Sequence, residues 1–279
     1  MLYRFNKNAL CALLLAAASA CSDGATSLTA PPPAPDPVPS VLLKDITINN
    51  LPNPFYHFEY DGSRRITAAS FASDLRRYNL HYTSGRLSTM QNNILINKDR
   101  LTYSYDADDR VSEVAYADSN GTVYTRVRYT YDGPTLIGVE RQRVMASGTF
   151  VDKTMTLAYN ADGNLSDLTE HHPAIAGVQD EVTFTDHFEQ YDIGLNVDGF
   201  SLLHSEFFDH LVLLPRVVLQ TGNPRLVTRT GDGLTYRVAY TYTYDDRGRP
   251  LSKIGDLTIT SGETAGQHVQ ISSAFSYYD

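Results

Sequence analysis

The chain alternates aromatic and polar residues in short runs, and a polar turn and a short aliphatic segment follow each run. Copies of this pattern lie at 58–66, 80–87, 103–111, 129–134, 157–165 and 242–251. Alternation with a period of two places every second side chain on one face of a β-strand. The second aromatic residues of the first five copies stand 22 to 28 residues apart, which is room for two strands and two turns. Each copy therefore predicts a β-hairpin.

The turns of these hairpins have suitable residue types. Ser84-Gly85 and Asp132-Gly133 tolerate the positive φ that tight hairpin turns require. An arginine on the outgoing strand, such as Arg249, can lay its stem over a neighbouring aromatic ring while its charged head stays in water. Consecutive hairpins form an antiparallel meander, and curling toward closure protects its edge strands. We therefore predict an all-β fold, a meander that curls into an open or closed barrel of roughly a dozen strands or somewhat more.

One stretch before the last copy departs from this alternation. Apolar residues there recur at helical spacing, Leu203 and Leu211 among them, while Ser201 can cap the start and Pro215 ends the segment. We predict one inserted helix near 201–214. Such a helix would plug the mouth of the barrel or cover an open edge of the sheet.

The N-terminal residues have the features of a signal peptide. Two basic residues precede an apolar run over 9–20, which is too short to span a bilayer as a helix. Small residues then lead to Cys21, an arrangement that resembles the cleavage box of bacterial lipoproteins. We predict a lipoprotein signal peptide over 1–20 and lipidation at Cys21. The alternative is an ordinary secretory signal in which Cys21 lies near the cleavage point by chance.

The segment after the predicted signal has the composition of a linker. Six prolines lie between Pro31 and Pro39, and proline favours the extended polyproline II conformation. We predict that 21–41 is the lipidated cysteine with a proline-rich tether and that 42–279 is a single β domain. Cys11 leaves with the signal, so the mature chain has one cysteine and no internal disulfide.

Composition and charge narrow the class of protein. The chain has 279 residues, of which 42% are hydrophobic and 20% charged, so it is neither a disordered tail nor a helical membrane bundle. Its net charge of −9 becomes −11 when the two basic residues of the signal are removed. A surface this acidic repels phosphate backbones, and we therefore expect no nucleic-acid partner.

Candidate chemistry concentrates in the interruption, where five polar residues cluster: His204, Ser205, Glu206, Asp209 and His210. Glu206 and His210 are four residues apart and could share a metal or a proton if the segment is helical. The same residues are equally explained as the solvated face of an amphipathic helix. We treat His204, Glu206, Asp209 and His210 as a candidate ligand or plug site, and we predict no metal, no cofactor and no identifiable catalytic residue.

Two further patterns have a structural and a functional interpretation. Residues 160–164 carry oxygen-bearing side chains at alternate positions, as a calcium-binding loop does. The glycine is at the fourth position instead of the sixth, and the twelfth position is His171 instead of a glutamate, so we predict a hairpin turn. The tyrosine and arginine stripes could line a sugar-binding wall, since aromatic rings stack on sugars. We favour a structural role, in which they fill the inner face of a barrel and make cross-strand pairs, because the repeat itself dictates their spacing.

The repeated Tyr-Asp turns followed by Gly-Arg and an aliphatic strand, clearest at 242–251, resemble the YD-repeat family. The signal, the proline-rich tether and the terminal repeat together look like a Bacteroidetes lipoprotein family of uncharacterised function, described as having a porin-like β fold. The resemblance covers most of 45–279. Large YD-repeat proteins enclose other proteins in hollow shells, but this chain is too short for that role.

These observations predict a lipid-anchored protein of the cell envelope that binds a ligand or scaffolds an assembly. We expect it to contact the outer membrane through lipidated Cys21, and the sequence does not distinguish the periplasmic from the cell-surface face. We expect its partner to be a glycan or another envelope protein. The alternative is a glycan-acting hydrolase with its site at the mouth of the β domain, which would need two facing carboxylates.

Overall fold

A computed structural model describes residues 33–93, 98–177, 179–204, 206 and 209–279 of the chain. The predicted signal peptide, Cys21 and Ser205 lie outside these residues. The described part belongs to one compact unit, Pro33–Asp279.

Sixteen antiparallel strands form a closed barrel within the described residues. They are β1 (Leu43–Ile48), β2 (Tyr56–Tyr60), β3 (Ile66–Phe71), β4 (Arg76–Thr83), β5 (Arg86–Asn92), β6 (Arg100–Tyr105), β7 (Val111–Ala117), β8 (Val123–Asp132), β9 (Thr135–Met145), β10 (Gly148–Tyr159), β11 (Leu165–His172), β12 (Val182–Tyr191), β13 (Pro224–Gly231), β14 (Tyr236–Tyr244), β15 (Pro250–Ile259) and β16 (His268–Tyr277). Every strand pairs with its neighbours in sequence, and β1 closes the barrel by pairing with β16, Ile46 opposite Phe275. The predicted meander is confirmed, and the barrel is closed.

A tyrosine ladder explains why the repeat is rich in tyrosine. In successive hairpins, a tyrosine hydroxyl donates to the backbone carbonyl of the first or second residue of the preceding strand, which is its neighbour in the barrel. Tyr82 donates to Ile66 O at 3.0 Å, and Tyr159 donates to Leu136 O at 2.8 Å. The other members of the ladder are Tyr60, Tyr105, Tyr131, Tyr191, Tyr242 and Tyr277. The ladder ties each hairpin to the one before it.

An aspartate or asparagine side chain holds the turn in four of the six repeats. Asp106 Oδ1 accepts hydrogen bonds from the backbone N–H groups of Asp108 and Arg110, both at 2.9 Å. The same pattern recurs at Asp61, Asn160 and Asp245. The outgoing arginine lies over the aromatic ring of the next repeat, but it is the Arg86 guanidinium and not only its stem that contacts the ring, 3.7 Å from the Tyr105 ring centre.

All of the Tyr-Asp turns lie at one end of the barrel because the connections of a meander alternate between its ends. We call this the repeat end, and it carries the connections β2–β3, β4–β5, β6–β7, β8–β9, β10–β11, β12–β13 and β14–β15. The opposite end is the far end. The chain enters β1 and leaves β16 at the repeat end.

The connection from β12 to β13, residues 192–223, is the insert, and a group of its described apolar side chains packs into the barrel lumen. Leu211 has no exposed surface, and Val212 and Leu213 are also buried in the same core as the wall residues. A barrel of sixteen strands is too wide for wall side chains alone to fill. The insert supplies the missing volume.

The helix predicted near 201–214 is wrong for the described residues. The insert has one short 3₁₀ helix, Gly199–Leu203, and the residues from 209 to 214 are irregular. Apolar residues at helical spacing indicate a helix when one face meets water. Inside the lumen the wall surrounds the segment, so consecutive residues are buried and no amphipathic helix is required.

The two faces of the wall differ in polarity. Inward side chains such as Tyr78 and Leu101 form the apolar core, whereas outward side chains pair across strands. Outward pairs include Arg126 and Arg128 with Glu113, Arg77 with Glu59, and His187 with Asp167. Among the described residues, no helix is both long enough and apolar enough to cross a membrane.

Candidate functional site

A polar cavity of about 410 Å³, which we call the polar chamber, lies in the lumen toward the far end. It is lined by Arg76, Asp99, Tyr116, Tyr124, Thr125, Arg143, Glu206, Asp209 and His210. The wall residues come from the far-end parts of β4 and β7 to β9 and from the connection before β6. The insert supplies the remaining three. The alternation of the strands points the wall side chains inward, and the insert brings its polar tip to them.

His210 stands at the centre of the chamber contacts. The Tyr78 and Tyr124 hydroxyls lie 2.6 Å from its Nδ1 and Nε2 atoms, and Asp99 lies 3.3 Å from Nε2. Burial, together with the Arg76 guanidinium 3.0 Å from both ring nitrogens, holds the pKa of His210 below its usual value. A neutral ring donates a hydrogen bond from one nitrogen and accepts at the other.

The carboxylates of the insert meet a buried guanidinium. Arg141 lies 2.8 Å from Asp209, 3.0 Å from Glu206 and 2.9 Å from Asp152, and its side chain is 5% exposed. Burial opposes the ionisation of Asp209, but Arg141 and Lys153 outweigh it and lower the pKa of this carboxyl. The pKa of Glu206 is lowered by the same two cations against the same opposing burial.

One group of residues has the donor atoms of a metal site. The ligand atoms of Glu170, His172 and Glu206 lie within 4.8 Å of one another. The Lys153 ammonium, however, stands 3.4 Å from Glu206 and 3.9 Å from Glu170. Because Lys153 already supplies the positive charge there, the group forms an ion-pair network and we assign no metal to it.

The structure brings three of the four predicted site residues together. Glu206, Asp209 and His210 line the chamber, whereas His204 packs against Phe71 and accepts the Tyr56 hydroxyl proton at Nδ1, 2.9 Å away. His204 Nε2 lies 3.3 Å from the Asp209 carbonyl oxygen. His204 and His210 are 8% and 6% exposed, so the interpretation as a solvated helix face is wrong for them.

The sequence reasoning missed Asp99, Arg141, Asp152 and Lys153. A signal was present for Arg141, which follows buried Val139 by two positions and therefore shares its inward face. A charged residue at an inward position of a wall strand needs a partner in the lumen. Asp99 lies in a connection, and Asp152 and Lys153 lie at a bulge in β10, so the alternation of the strands did not mark these three residues as inward-facing.

Comparison with known proteins supports the fold. Neither a family model nor a curated protein matches the chain. The crystal structure of a porin-like protein from Bacteroides uniformis is similar to it, with a TM-score of 0.53 and 13% identity over 80% of this chain and 89% of that one. A TcdB2-TccC3 structure is also matched over 77% of this chain and 12% of that one, with 14% identity and a TM-score of 0.21. The chain therefore has a porin-like β-barrel fold.

Proposed function

We propose that this chain is a lipid-anchored envelope protein whose polar chamber binds a small neutral ligand of the carbohydrate class. The observation that carries the proposal is the chamber itself, about 410 Å³ of polar space in the barrel lumen. Ligand pockets have volumes of about 300 to 1,000 Å³ and a few converging polar groups.

The charges around the chamber favour a neutral ligand. Four cations, Arg76, Arg141, Arg143 and Lys153, face five carboxylates, Asp99, Asp152, Glu170, Glu206 and Asp209. Because these charges nearly cancel, a strongly charged ligand gains little from the site. Tyr116 and Tyr124 add aromatic surface beside hydrogen-bonding groups, the combination that suits a sugar ring.

The outer face of the barrel supports attachment to the membrane through a lipid anchor and not through insertion of the barrel wall into the bilayer. A barrel that spans a bilayer presents an apolar band about 25 Å tall to the lipid. The described outer face instead carries cross-strand charged pairs such as Arg126 with Glu113 and Arg77 with Glu59. Such a wall belongs in water, and lipidation at Cys21 would hold it beside the outer membrane.

The tyrosine ladder and the Asp-held turns support membership of the YD-repeat lipoprotein family. They give the repeated residues a shared structural role in successive hairpins. The porin-like neighbour adds support for an envelope location.

A binding role is favoured over glycan hydrolysis. A glycosidase needs one carboxyl that stays protonated as a general acid, with a raised pKa. In Asp99, Glu206 and Asp209, nearby donors and cations outweigh burial and lower each pKa. All three chamber carboxyls are therefore ionised and suited to accept hydrogen bonds from ligand hydroxyls.

The test is calorimetric titration of the full chain with neutral disaccharides, maltose, cellobiose and diacetylchitobiose. We expect one of them to bind at one site per chain and Tyr124→Ala to weaken that binding about tenfold or more. Arg128→Ala, on the outer face, is the matched control and should bind as the unaltered chain does. Absence of saturable binding, or binding indifferent to Tyr124→Ala, would refute the carbohydrate site.

The lipid anchor has a separate test. Cells that express the chain are labelled with radioactive palmitate, and we expect label on the unaltered chain and none on Cys21→Ser. Equal label on both would place the acyl group elsewhere, and no label on either would exclude lipidation.

A further inference from the structure

A second cavity of about 400 Å³, which we call the apolar pocket, lies toward the repeat end, away from the polar chamber. Its lining includes Val41, Leu43, Phe58, Leu80, Phe200 and Leu213, which come from the chain before β1, from three wall strands and from the insert. Most of its surface is aliphatic or aromatic. The pocket therefore suits a ligand with a long apolar part.

The residues before β1 form one side of this pocket. Residues 33–41, which we call the strap, cross the repeat end and are held by hydrogen bonds. Asp36 N–H donates to Gly85 O at 3.0 Å, and the Arg216 guanidinium donates to Ala34 O and Pro35 O at 3.1 and 2.7 Å. The described part of the predicted tether is thus built into the wall of the pocket.

Asp36 places a carboxylate oxygen without a hydrogen-bond donor at the pocket. Its Oδ2 atom accepts from the Leu87 N–H at 2.7 Å and from the Tyr105 hydroxyl at 3.2 Å. Its Oδ1 atom is buried without a hydrogen bond among the described residues, and the nearest cation, Arg216 Nε, is 3.7 Å away. The side chain is 5% exposed. A buried acceptor left unsatisfied is costly, so a bound ligand that supplies a donor would gain stability there.

We propose that the apolar pocket binds one acyl chain of a lipid whose head group donates a hydrogen bond to Asp36. The chain fills the apolar lining, and a hydroxyl or amide N–H of the head meets Oδ1. A monoacylglycerol and an N-acyl amide both have this chemistry. The ligand differs in kind from the carbohydrate of the polar chamber, so this proposal goes beyond the proposed function and stands without it.

The position of the pocket gives such a lipid a short path from a membrane. Eleven residues separate Cys21 from Pro33, the first described residue of the strap. A fully extended chain of that length reaches at most about 40 Å. If Cys21 is lipidated, the linker ties Pro33 to the acylated cysteine within that reach, and the occupant of the pocket comes either from the membrane or from the acyl groups of Cys21.

The experiment is calorimetric titration of monolaurin into the lipidated full chain and into Cys21→Ser, with methyl laurate as the probe that lacks a head-group donor. We expect one monolaurin per chain and binding of methyl laurate about tenfold weaker. Val41→Trp, which fills the pocket, should weaken monolaurin binding about tenfold or more. Leu234→Trp changes an exposed residue near the far end and is the matched control. Leu195→Trp, at an exposed lining position, replaces Val41→Trp if that variant fails to fold.

Each result decides a point. Binding to both forms of the chain supports a free membrane lipid as the occupant. Binding to Cys21→Ser but not to the lipidated chain supports the acyl group of Cys21 itself. No saturable binding to either form, or equal binding by the pocket-filling variant and the control, would overturn the proposal. Disaccharide binding can fail while monolaurin binds, so the two proposals fail separately.

Discussion

The repeat end and the polar chamber are built from the same kinds of residue, tyrosines with charged partners, but they are assembled differently. In the ladder, each tyrosine reaches a carbonyl 16 to 27 residues earlier in the chain. In the chamber, His210 meets Tyr78, Tyr124 and Arg76 across 86 to 134 residues. A contact repeated at short range appears as a pattern in the sequence, and a contact made once at long range does not.

The largest expected effect concerns the buried charge that joins the insert to the wall. Arg141→Met should lower the free energy of unfolding by about 3 to 5 kcal/mol because it leaves Asp152, Glu206 and Asp209 without their shared cation. Urea denaturation followed by circular dichroism measures this. Arg128→Met, which removes an exposed partner of Glu113, should cost about 1 kcal/mol or less. Equal losses in the two variants would contradict the difference between inner and outer charges.

A second prediction asks whether the insert shares the core of the wall. Leu211 in the insert and Leu101 in β6 both have no exposed surface. We expect Leu211→Ala and Leu101→Ala each to cost about 2 to 5 kcal/mol in one cooperative unfolding transition. If Leu211→Ala left the transition unchanged, the insert would be a detachable plug and not part of the core.

The ladder should contribute in small, repeated steps. Tyr131→Phe and Tyr159→Phe each remove one hydroxyl that donates to a backbone carbonyl, at 3.0 and 2.8 Å. Each substitution should cost about 1 kcal/mol, measured by urea denaturation. The two positions are copies of one contact, so a loss at only one of them would contradict their equivalence.

The smallest effect is a change in pH dependence. Burial lowers the pKa of His204, so the unfolded chain binds a proton near the usual pKa of about 6.5 while the folded chain does not. Stability should therefore fall as the pH is lowered below about 6.5. His204→Gln should make the denaturation midpoint less sensitive to pH in that range, and His210 should leave part of the slope. His268→Gln, at an exposed position on the outer face, should retain the full slope.

The wall could be predicted from sequence to a large extent. The alternation around Tyr103-Ser104-Tyr105 gave the strands, and the residues after it gave the turn that Asp106 holds. The barrel and its meander followed from repetition. The insert could not be predicted in the same way, because Leu211 and Leu213 have helical spacing in the chain but lie in an irregular segment that the wall surrounds.

The candidate site was only partly visible. His210 and Asp209 stood out as polar residues in an apolar segment, but Asp99 and Lys153 looked like ordinary charged residues of a loop and a strand. They became members of a site once closure of the barrel placed them opposite the insert.

The amino-acid sequence by itself determined the hairpins, their turns and their order. These features depend on contacts between residues close in the chain, and the same contacts recur in successive repeats. Closure of β1 on β16, the path of the insert and the separation of a polar from an apolar cavity were decided only in the tertiary structure. The physical reason is that filling a closed lumen depends on the volume and charge that all sixteen strands enclose together.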